Sequence, residues 1–174
     1  MKMRAVCCMA LLGLILSPAM ADVVVSFVPQ DQVGWPPGGT TTMDLVAEIP
    51  EDEGVIAFGF NIDILSGTSA TFASFALAAP WDPIAGSDDG IAGVLFPPDA
   101  ATGTVLLGTA TFNLVELGVT EVGTSDDYPD DLLEGFWLEG VGVANVIYGM
   151  GTITVVPEPA ALALLALGAL IRRR

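Results

Sequence analysis

Hydrophobic and polar side chains alternate along most of the chain between residues 22 and 156. This period of two is typical of β-strands with one buried face, whereas an amphipathic helix repeats near 3.6 residues. In the segment MDLVAEI, one face carries Met43, Leu45, Ala47 and Ile49. VIAFGFNIDIL and TVLLGTATFNL alternate in the same way, and these two segments predict a set of core residues: Phe58, Phe60, Ile62, Leu106, Phe112 and Leu114.

Further β-like runs cover residues 22–28, 69–77, 91–96, 117–122, 132–139 and 145–156. They are separated by WPPGG, PEDEG, SGTS, GSDDG, PPDAATG and TSDDYPDD, which are rich in the residues that favour turns. The segment 22–156 has an ordinary length for one domain. About nine short strands in such a segment predict an all-β protein with a single antiparallel β-sandwich.

The first residues have the layout of a secretory signal peptide over 1–21. Lys2 and Arg4 precede an apolar run over 5–16, and Ala19 and Ala21 frame a small-x-small cleavage site. Asp22 is then the first mature residue. The cysteines lie inside the apolar run rather than after it, which disfavours a lipoprotein signal, and a retained N-terminal anchor is the alternative.

The last residues, 157–174, combine three parts in a fixed order. The motif Pro157-Glu158-Pro159 ends any preceding helix or central strand, residues 160–171 are apolar, and three arginines close the chain. An apolar helix capped by arginines is typical of a membrane segment with a cytoplasmic end. Its twelve apolar residues cover about 18 Å, against a hydrocarbon core of about 30 Å. Counted from Pro157 to the arginines, whose long stems can reach toward the interface, the tail becomes a marginal span. The alternative is a short buried helix at the end of the domain.

The order Pro-Glu-Pro, apolar helix and basic cluster resembles the PEP-CTERM sorting signal. That resemblance implies recognition by an exosortase, a membrane protease and transferase, after export and cleavage by signal peptidase. It implies a protein held transiently in the inner membrane and then delivered to the cell surface or the exopolysaccharide matrix of a biofilm. The residues that would carry sorting are Pro157, Glu158, Pro159, Arg172, Arg173 and Arg174.

Charge divides the chain sharply between its ends and its middle. All five Lys and Arg residues lie in the two terminal segments, and 20 of the 21 acidic residues lie within 22–156, the exception being Glu158. Nucleic acid and anionic membrane surfaces attract basic patches, so neither is an expected partner.

The middle segment also has no His and no Cys. This composition excludes disulfides, Ser-His-Asp and Cys-His catalysis, ordinary zinc sites, Schiff bases and arginine phosphate clamps. We therefore expect no enzyme. The remote alternative is a glycosidase that uses two carboxylates about 5–10 Å apart.

Clustered loop carboxylates are candidate calcium ligands, because Ca²⁺ takes six to eight oxygens at about 2.3–2.6 Å. Two loops supply them, with these residues: Asp88, Asp89, Asp126, Asp127, Asp130 and Asp131. The alternative is a solvated acidic surface that keeps the exported protein in solution, and neither loop has the spacing of an EF-hand.

Tryptophans in loops are candidate platforms for stacking on sugar rings. Trp35 in GWPPGG and Trp81 in PWDP are the candidates, whereas Trp137 lies in a strand-like run and is expected to pack. For Trp35 and Trp81 the alternative is packing over the end of the sandwich or over a turn proline. A row formed with Tyr128 would favour binding of an extracellular polysaccharide.

Three segments follow each other in an order that is similar to that of the cohesin-type β-sandwich. They are GGTTTMDLVAEIPEDEGVIAFGFNIDI, GTVLLGTATFNLV and GTITVV. Cellulosomal cohesins and some carbohydrate-binding modules share this fold, and no contact residue carries over from them. The leading hypothesis is an exported, non-catalytic surface or matrix protein. The alternative is a binding module for a polysaccharide or a protein partner, with calcium as a candidate cofactor.

Overall fold

The computed structural model describes residues 22–34, 36–84, 91–96, 98–140 and 142–159. Strands account for the regular structure of this part, in chain order: Val23–Val28 (β1), Asp31–Gly34 (β2), Thr40–Ile49 (β3), Val55–Gly59 (β4), Asn61–Ser66 (β5), Ala70–Leu77 (β6), Asp82–Pro83 (β7), Ala92–Val94 (β8), Gly103–Leu114 (β9), Gly118–Ser125 (β10), Gly135–Leu138 (β11), Gly142–Val143 (β12), Val146–Tyr148 (β13) and Met150–Val155 (β14). The count exceeds the predicted nine for two reasons. Two predicted strands divide between sheets, one into β4 and β5 and the other into β13 and β14, and the short strands β2, β7 and β12 lie outside the predicted runs.

The strands form two layers around one core. One layer is a five-stranded sheet with the order β13-β1-β3-β9-β6. The other contains two sheets, β2-β14-β10-β5 and β12-β11-β4-β8-β7, which share a continuous segment because β4 passes directly into β5 at Phe60. Along this segment β5 pairs with β10 and β4 pairs with β11, both antiparallel. The predicted all-β sandwich is confirmed.

Two of the strand pairs are parallel, which corrects the expectation of a purely antiparallel sandwich. Val23 faces Val146 where β1 pairs with β13, and Gly34 faces Val155 where β2 pairs with β14. The first and last segments therefore run side by side and cross together from one layer to the other. Alternation within one strand carries no information about this pairing, because it depends on two segments far apart in sequence.

Most of the predicted core residues are buried. Phe58, Phe60 and Phe112 are fully buried, Leu114 is nearly so, and Ile62 packs against the core from its rim. Every strand and every core residue that the structure describes lies between Val23 and Val155, so the described sandwich lies within residues 22–159.

The prediction for Leu106 is wrong, because a β-bulge interrupts the alternation of β9. Leu45 faces Gly108 and the next residue of β3, Val46, faces Leu106, so β9 carries one extra residue between them. That residue, Leu107, turns into the core and is 0% exposed, whereas Leu106 is 41% exposed on the outer face. A bulge adds one unpaired residue and so moves the following side chains to the other face.

No helix among the described residues is long and apolar enough to cross a membrane. The predicted signal peptide over 1–21 and the predicted apolar helix over 160–171 lie outside the described residues, as do Ala19, Ala21, Arg172, Arg173 and Arg174.

Candidate interaction surface

Residues 126–134, here called the acidic loop, leave the second layer between β10 and β11. Ser125 faces Asn61 and Gly135 faces Gly59, so the loop is an excursion from a strand that is otherwise continuous opposite residues 55–66. A β-carbon built on Gly59 would collide with the carbonyl oxygen of Leu133. The loop therefore lies directly on the outer side of β4, and only glycine permits this approach.

The carboxylates of the acidic loop accept hydrogen bonds from the loop itself. Asp126 accepts one from the Tyr128 amide at 3.2 Å, and Asp131 accepts one from the Leu133 amide at 2.8 Å. The buried Glu134 accepts a hydrogen bond from the Asp127 amide. Side chains of this kind give the backbone amides an alternative to the hydrogen bonds of a β-sheet, and they therefore favour turns.

Tyr148 fastens the acidic loop to the last strands of the sandwich. Its hydroxyl donates a hydrogen bond to Asp126. Burial, this hydrogen bond, and the negative charges of Asp126 and Glu134 together raise the pKa of the Tyr148 phenol well above its ordinary value of 10.0. All of these influences favour the neutral phenol, so the hydroxyl remains a donor to Asp126 throughout the physiological range.

The acidic side chains of the acidic loop are not gathered around one point. In the described part of the chain, no three acidic side chains are placed so that they could hold a metal ion. Asp126 and Asp131 instead cap separate amides. The prediction of a calcium site in this loop is therefore not supported by its geometry, while Asp88 and Asp89 lie outside the described residues.

Trp81 is a core residue rather than a surface platform, which corrects the sugar-stacking role predicted for it. It is 5% exposed, its ring meets Phe58 edge-on with centroids 4.8 Å apart, and its Nε1 donates to the Leu106 carbonyl at 3.2 Å. Trp137 is half-buried and packs edge to face against the partly exposed Tyr128, with the two ring centroids 5.8 Å apart. Trp35 lies outside the described residues, and among the described ones Trp81 is too buried to form an exposed row with Tyr128.

The outer side of the four-stranded sheet β2-β14-β10-β5 presents apolar residues that the pattern analysis did not select. We call it the four-stranded face, and its members are Asp31, Val33, Asp63, Leu65, Val119, Glu121, Gly123, Met150, Thr152 and Thr154. Val33, Leu65, Val119 and Met150 are all at least half exposed. Their signal in the sequence is weak, because β10 carries valines on both of its sides.

The opposite outer face, on the five-stranded sheet, is less open. It has three large exposed apolar residues, Val28, Leu106 and Ile147, which are 41–49% exposed, against four that are 50–63% exposed on the four-stranded face. Large exposed apolar groups rimmed by polar residues mark interaction sites more often than single ones do. The four-stranded face is therefore the better candidate.

Each carboxylate on the four-stranded face has a hydroxyl partner on a neighbouring strand. Thr152 donates to Asp31, Ser66 donates to Glu121 at 2.8 Å, and Ser125 donates to Asp63 at 2.6 Å. Residues 22–159 contain no Lys or Arg. No cation of this segment can therefore neutralise these carboxylates, and the hydroxyls only orient them.

The predicted sorting motif follows the last strand. The Val156 amide donates to the Gly34 carbonyl at 3.0 Å, which holds the chain against β2 up to this residue. Pro157 is half-buried, whereas Glu158 and Pro159 are exposed. At the other end, the exposed Asp22 accepts a hydrogen bond from Asn145.

The same arrangement of strands occurs in solved cohesin structures. The third cohesin of ScaC from Acetivibrio cellulolyticus, solved in complex with the ScaB dockerin, superposes with a TM-score of 0.51 at 17% identity, over 77% of this chain and 99% of the cohesin. The third ScaB cohesin of R. flavefaciens, in complex with a group 1 dockerin, gives 0.51 at 15% identity, over 79% and 97%.

The chain has a cohesin-like fold. A type III cohesin module of the cell-surface anchoring scaffoldin ScaE from Ruminococcus flavefaciens gives a TM-score of 0.50 at 11% identity, over 80% of this chain and 89% of that module. At such identities the likeness concerns the fold alone. No protein-family model and no curated protein matches the sequence.

Proposed function

We propose that residues 22–156 form an exported, non-catalytic module that binds a protein partner through the four-stranded face. The observation that carries this proposal is the exposure of four apolar residues, Val33, Leu65, Val119 and Met150, on the outer face of one sheet. The cohesin-like fold supports it, because two of the similar cohesins were solved in complex with dockerins. Protein interfaces combine apolar and polar groups on one surface.

A polysaccharide is the less supported ligand. Recognition of sugar rings needs exposed aromatic platforms, and Trp81 is buried in the core. The ring of Tyr128, which is partly exposed, packs against the ring of Trp137 in an edge-to-face arrangement. The absence of a paired platform in the described part of the chain leaves the protein partner as the ligand class with more support.

Site-specific photo-crosslinking tests the binding proposal in cells that produce the full chain. A photoreactive residue at Val119 or Met150 should give a discrete crosslinked product with another protein. The matched control is Thr42, an exposed residue at the centre of the five-stranded sheet, where we expect none. Equal products from all three positions, or none from Val119 and Met150, would contradict the proposal.

We further propose that the chain is sorted through its C-terminal motif, with cleavage before Asp22 by signal peptidase and processing by an exosortase near Pro157-Glu158-Pro159. Exposure of Glu158 and Pro159 directly after the last strand supports this, since a protease needs an accessible segment. In this proposal the apolar tail holds the protein in the inner membrane until processing delivers it to the cell surface or extracellular matrix.

Intact mass measurement of the protein from each cell fraction tests the sorting proposal. The extracellular form should begin at Asp22 and lack the three arginines. Replacement of Pro157, Glu158 and Pro159 by alanine should retain the protein in the membrane fraction. An extracellular form that still carries residues 172–174 would count against the exosortase.

A further inference from the structure

We infer that the partner of the four-stranded face presents a basic side chain, Lys or Arg, surrounded by apolar groups, and that this side chain docks over Thr152 between Asp31 and Glu121. The inference rests on the proposed function, because it specifies the chemistry of the same surface. It follows from the order of the residues on the sheet, from their exposure and from the charge of the domain.

The residues of the face lie in rows that cross the strands. Asp31, Thr152 and Glu121 form one row, because Thr152 faces Asp31 on β2 and Glu121 on β10. Neighbouring strands lie about 4.8 Å apart, so the backbones that carry the two carboxylates are separated by about 10 Å. A cation placed over the small Thr152 side chain would be within reach of both carboxylates.

Apolar residues flank this acidic row on both sides. In the row toward one end of the strands, Thr154 faces both Val33 and Val119. In the row toward the other end, Met150 faces Gly123, and the Leu65 side chain lies over Gly123, where a β-carbon would come within 2.9 Å of it. The long apolar stem of a Lys or Arg can pack on such residues while its charged end reaches the carboxylates.

The charge of the domain favours a basic complement for this row. Burial of an ionised carboxylate is strongly unfavourable unless a cation or several donors replace the lost water. Asp31 and Glu121 are exposed and each has one hydroxyl partner, so each retains further acceptor capacity. With no Lys or Arg in residues 22–159, the cation has to come from the partner. A second copy of the same domain would bring only more carboxylates.

The first experiment measures binding of a defined probe to residues 22–159 by titration calorimetry at about 0.15 M salt, where general electrostatic attraction is screened beyond about 8 Å. The probe is an amphipathic peptide of leucine and lysine, compared with versions in which glutamate replaces lysine or serine replaces leucine. We expect only the leucine–lysine peptide to bind. No binding of this peptide, or equal binding of the other two, would overturn the inference.

Charge reversal then distinguishes an effect of the acidic row on binding from an effect of the general negative charge of the domain. Glu121→Lys and Asp31→Lys should each weaken binding of the leucine–lysine peptide at least about tenfold, comparable to loss of a buried charged contact. The matched control is Glu48→Lys, which makes the same change at an exposed position on the opposite face. An equal loss in the control would show that only the total charge matters and would overturn the inference.

The natural partner is tested through the crosslink at Met150 in the full chain. Glu121→Lys should reduce the yield of the crosslinked product, and Glu48→Lys should not. If the product forms and neither substitution reduces it, the partner-binding function stands and the basic side chain is disproved. If no product forms in any variant, the proposed function itself fails.

Discussion

Tyr148 shows at the scale of one residue how the acidic loop is held on the sheet. Its hydroxyl bonds Asp126, the first residue of that loop, and Tyr148 itself lies in the last strand of the five-stranded sheet. The bond joins a carboxylate to a partly buried donor, which is stronger than a bond between neutral groups. A segment rich in negative charge is thus anchored by a neutral phenol rather than by a cation.

Loss of the Tyr148 hydroxyl should weaken the domain and change its alkaline stability. Because the native state keeps the phenol proton and the unfolded chain releases it near pH 10, the unfolded state binds fewer protons above that pH. The contribution of this phenol to stability should be constant below about pH 10 and should fall as the pH rises above it. Tyr148→Phe should cost about 1 kcal/mol at neutral pH and should reduce that alkaline loss, measured by urea denaturation from pH 7 to pH 11.

The control for this prediction uses Tyr128→Phe, which leaves Tyr148 as the only tyrosine of the chain. In this variant the tyrosinate absorbance at about 295 nm should increase only together with unfolding. An increase near pH 10 while the domain is still folded would show that Tyr148 is not protected by its surroundings.

The bulge in β9 shows at the scale of one element how strand register decides which of two neighbouring side chains is buried. Leu106 and Leu107 are adjacent and chemically identical, yet the first is exposed and the second is in the core. Leu107→Ala should lower the free energy of unfolding by about 2–5 kcal/mol, whereas Leu106→Ala should cost no more than about 0.5 kcal/mol. Denaturant titration of both variants checks this, and similar losses would contradict the register.

The contact of the acidic loop with β4 gives a second prediction at this scale. Gly59→Ala should destabilise the domain by about 1–3 kcal/mol, because the new methyl group collides with the Leu133 carbonyl. Replacement of residues 126–134 by one glycine should restore a continuous strand, because only Phe60 separates the residues opposite Ser125 and Gly135. In that shortened chain, Gly59→Ala should cost little, and an unchanged cost would disprove the contact.

These elements show what the sequence could and could not predict. Alternation correctly placed Phe58, Phe60, Phe112 and Leu114 in the core. In each of the two segments, the period of two is visible within the segment itself. Alternation missed the bulge at Leu107, the parallel pairing of β1 with β13 and the seat of Leu133 on Gly59. Each of these depends on a second segment distant in sequence. The four-stranded face was missed for the same reason, since exposure on a sheet depends on what covers it.

The charge of the whole domain has a consequence that no single contact carries. Twenty carboxylates within 22–156, without one Lys or Arg, cannot form internal salt bridges, and their repulsion opposes the compact state. The hydrogen bonds from hydroxyls and amides orient these groups but leave their charge in place. Stability should therefore depend on the ions in solution more than is usual for a β-sandwich.

We expect the melting temperature of residues 22–159 to increase with sodium chloride concentration. Between about 0.01 M and 0.15 M salt the screening length falls from about 30 Å to about 8 Å, which removes most of the repulsion between separate loops. A gain of about 1 kcal/mol would raise the melting temperature by about 4 °C in a domain of this size. Calcium bound specifically by the acidic loop would stabilise the domain further at constant high salt. It would raise the free energy of unfolding by about 2.7 kcal/mol at a hundredfold excess over Kd. Because no three acidic side chains of that loop are placed so that they could hold a metal ion, we expect Asp127→Asn combined with Asp130→Asn to leave any calcium response unchanged. A melting temperature that is independent of salt would contradict the charge argument, and a calcium response abolished by the double substitution would restore the calcium site.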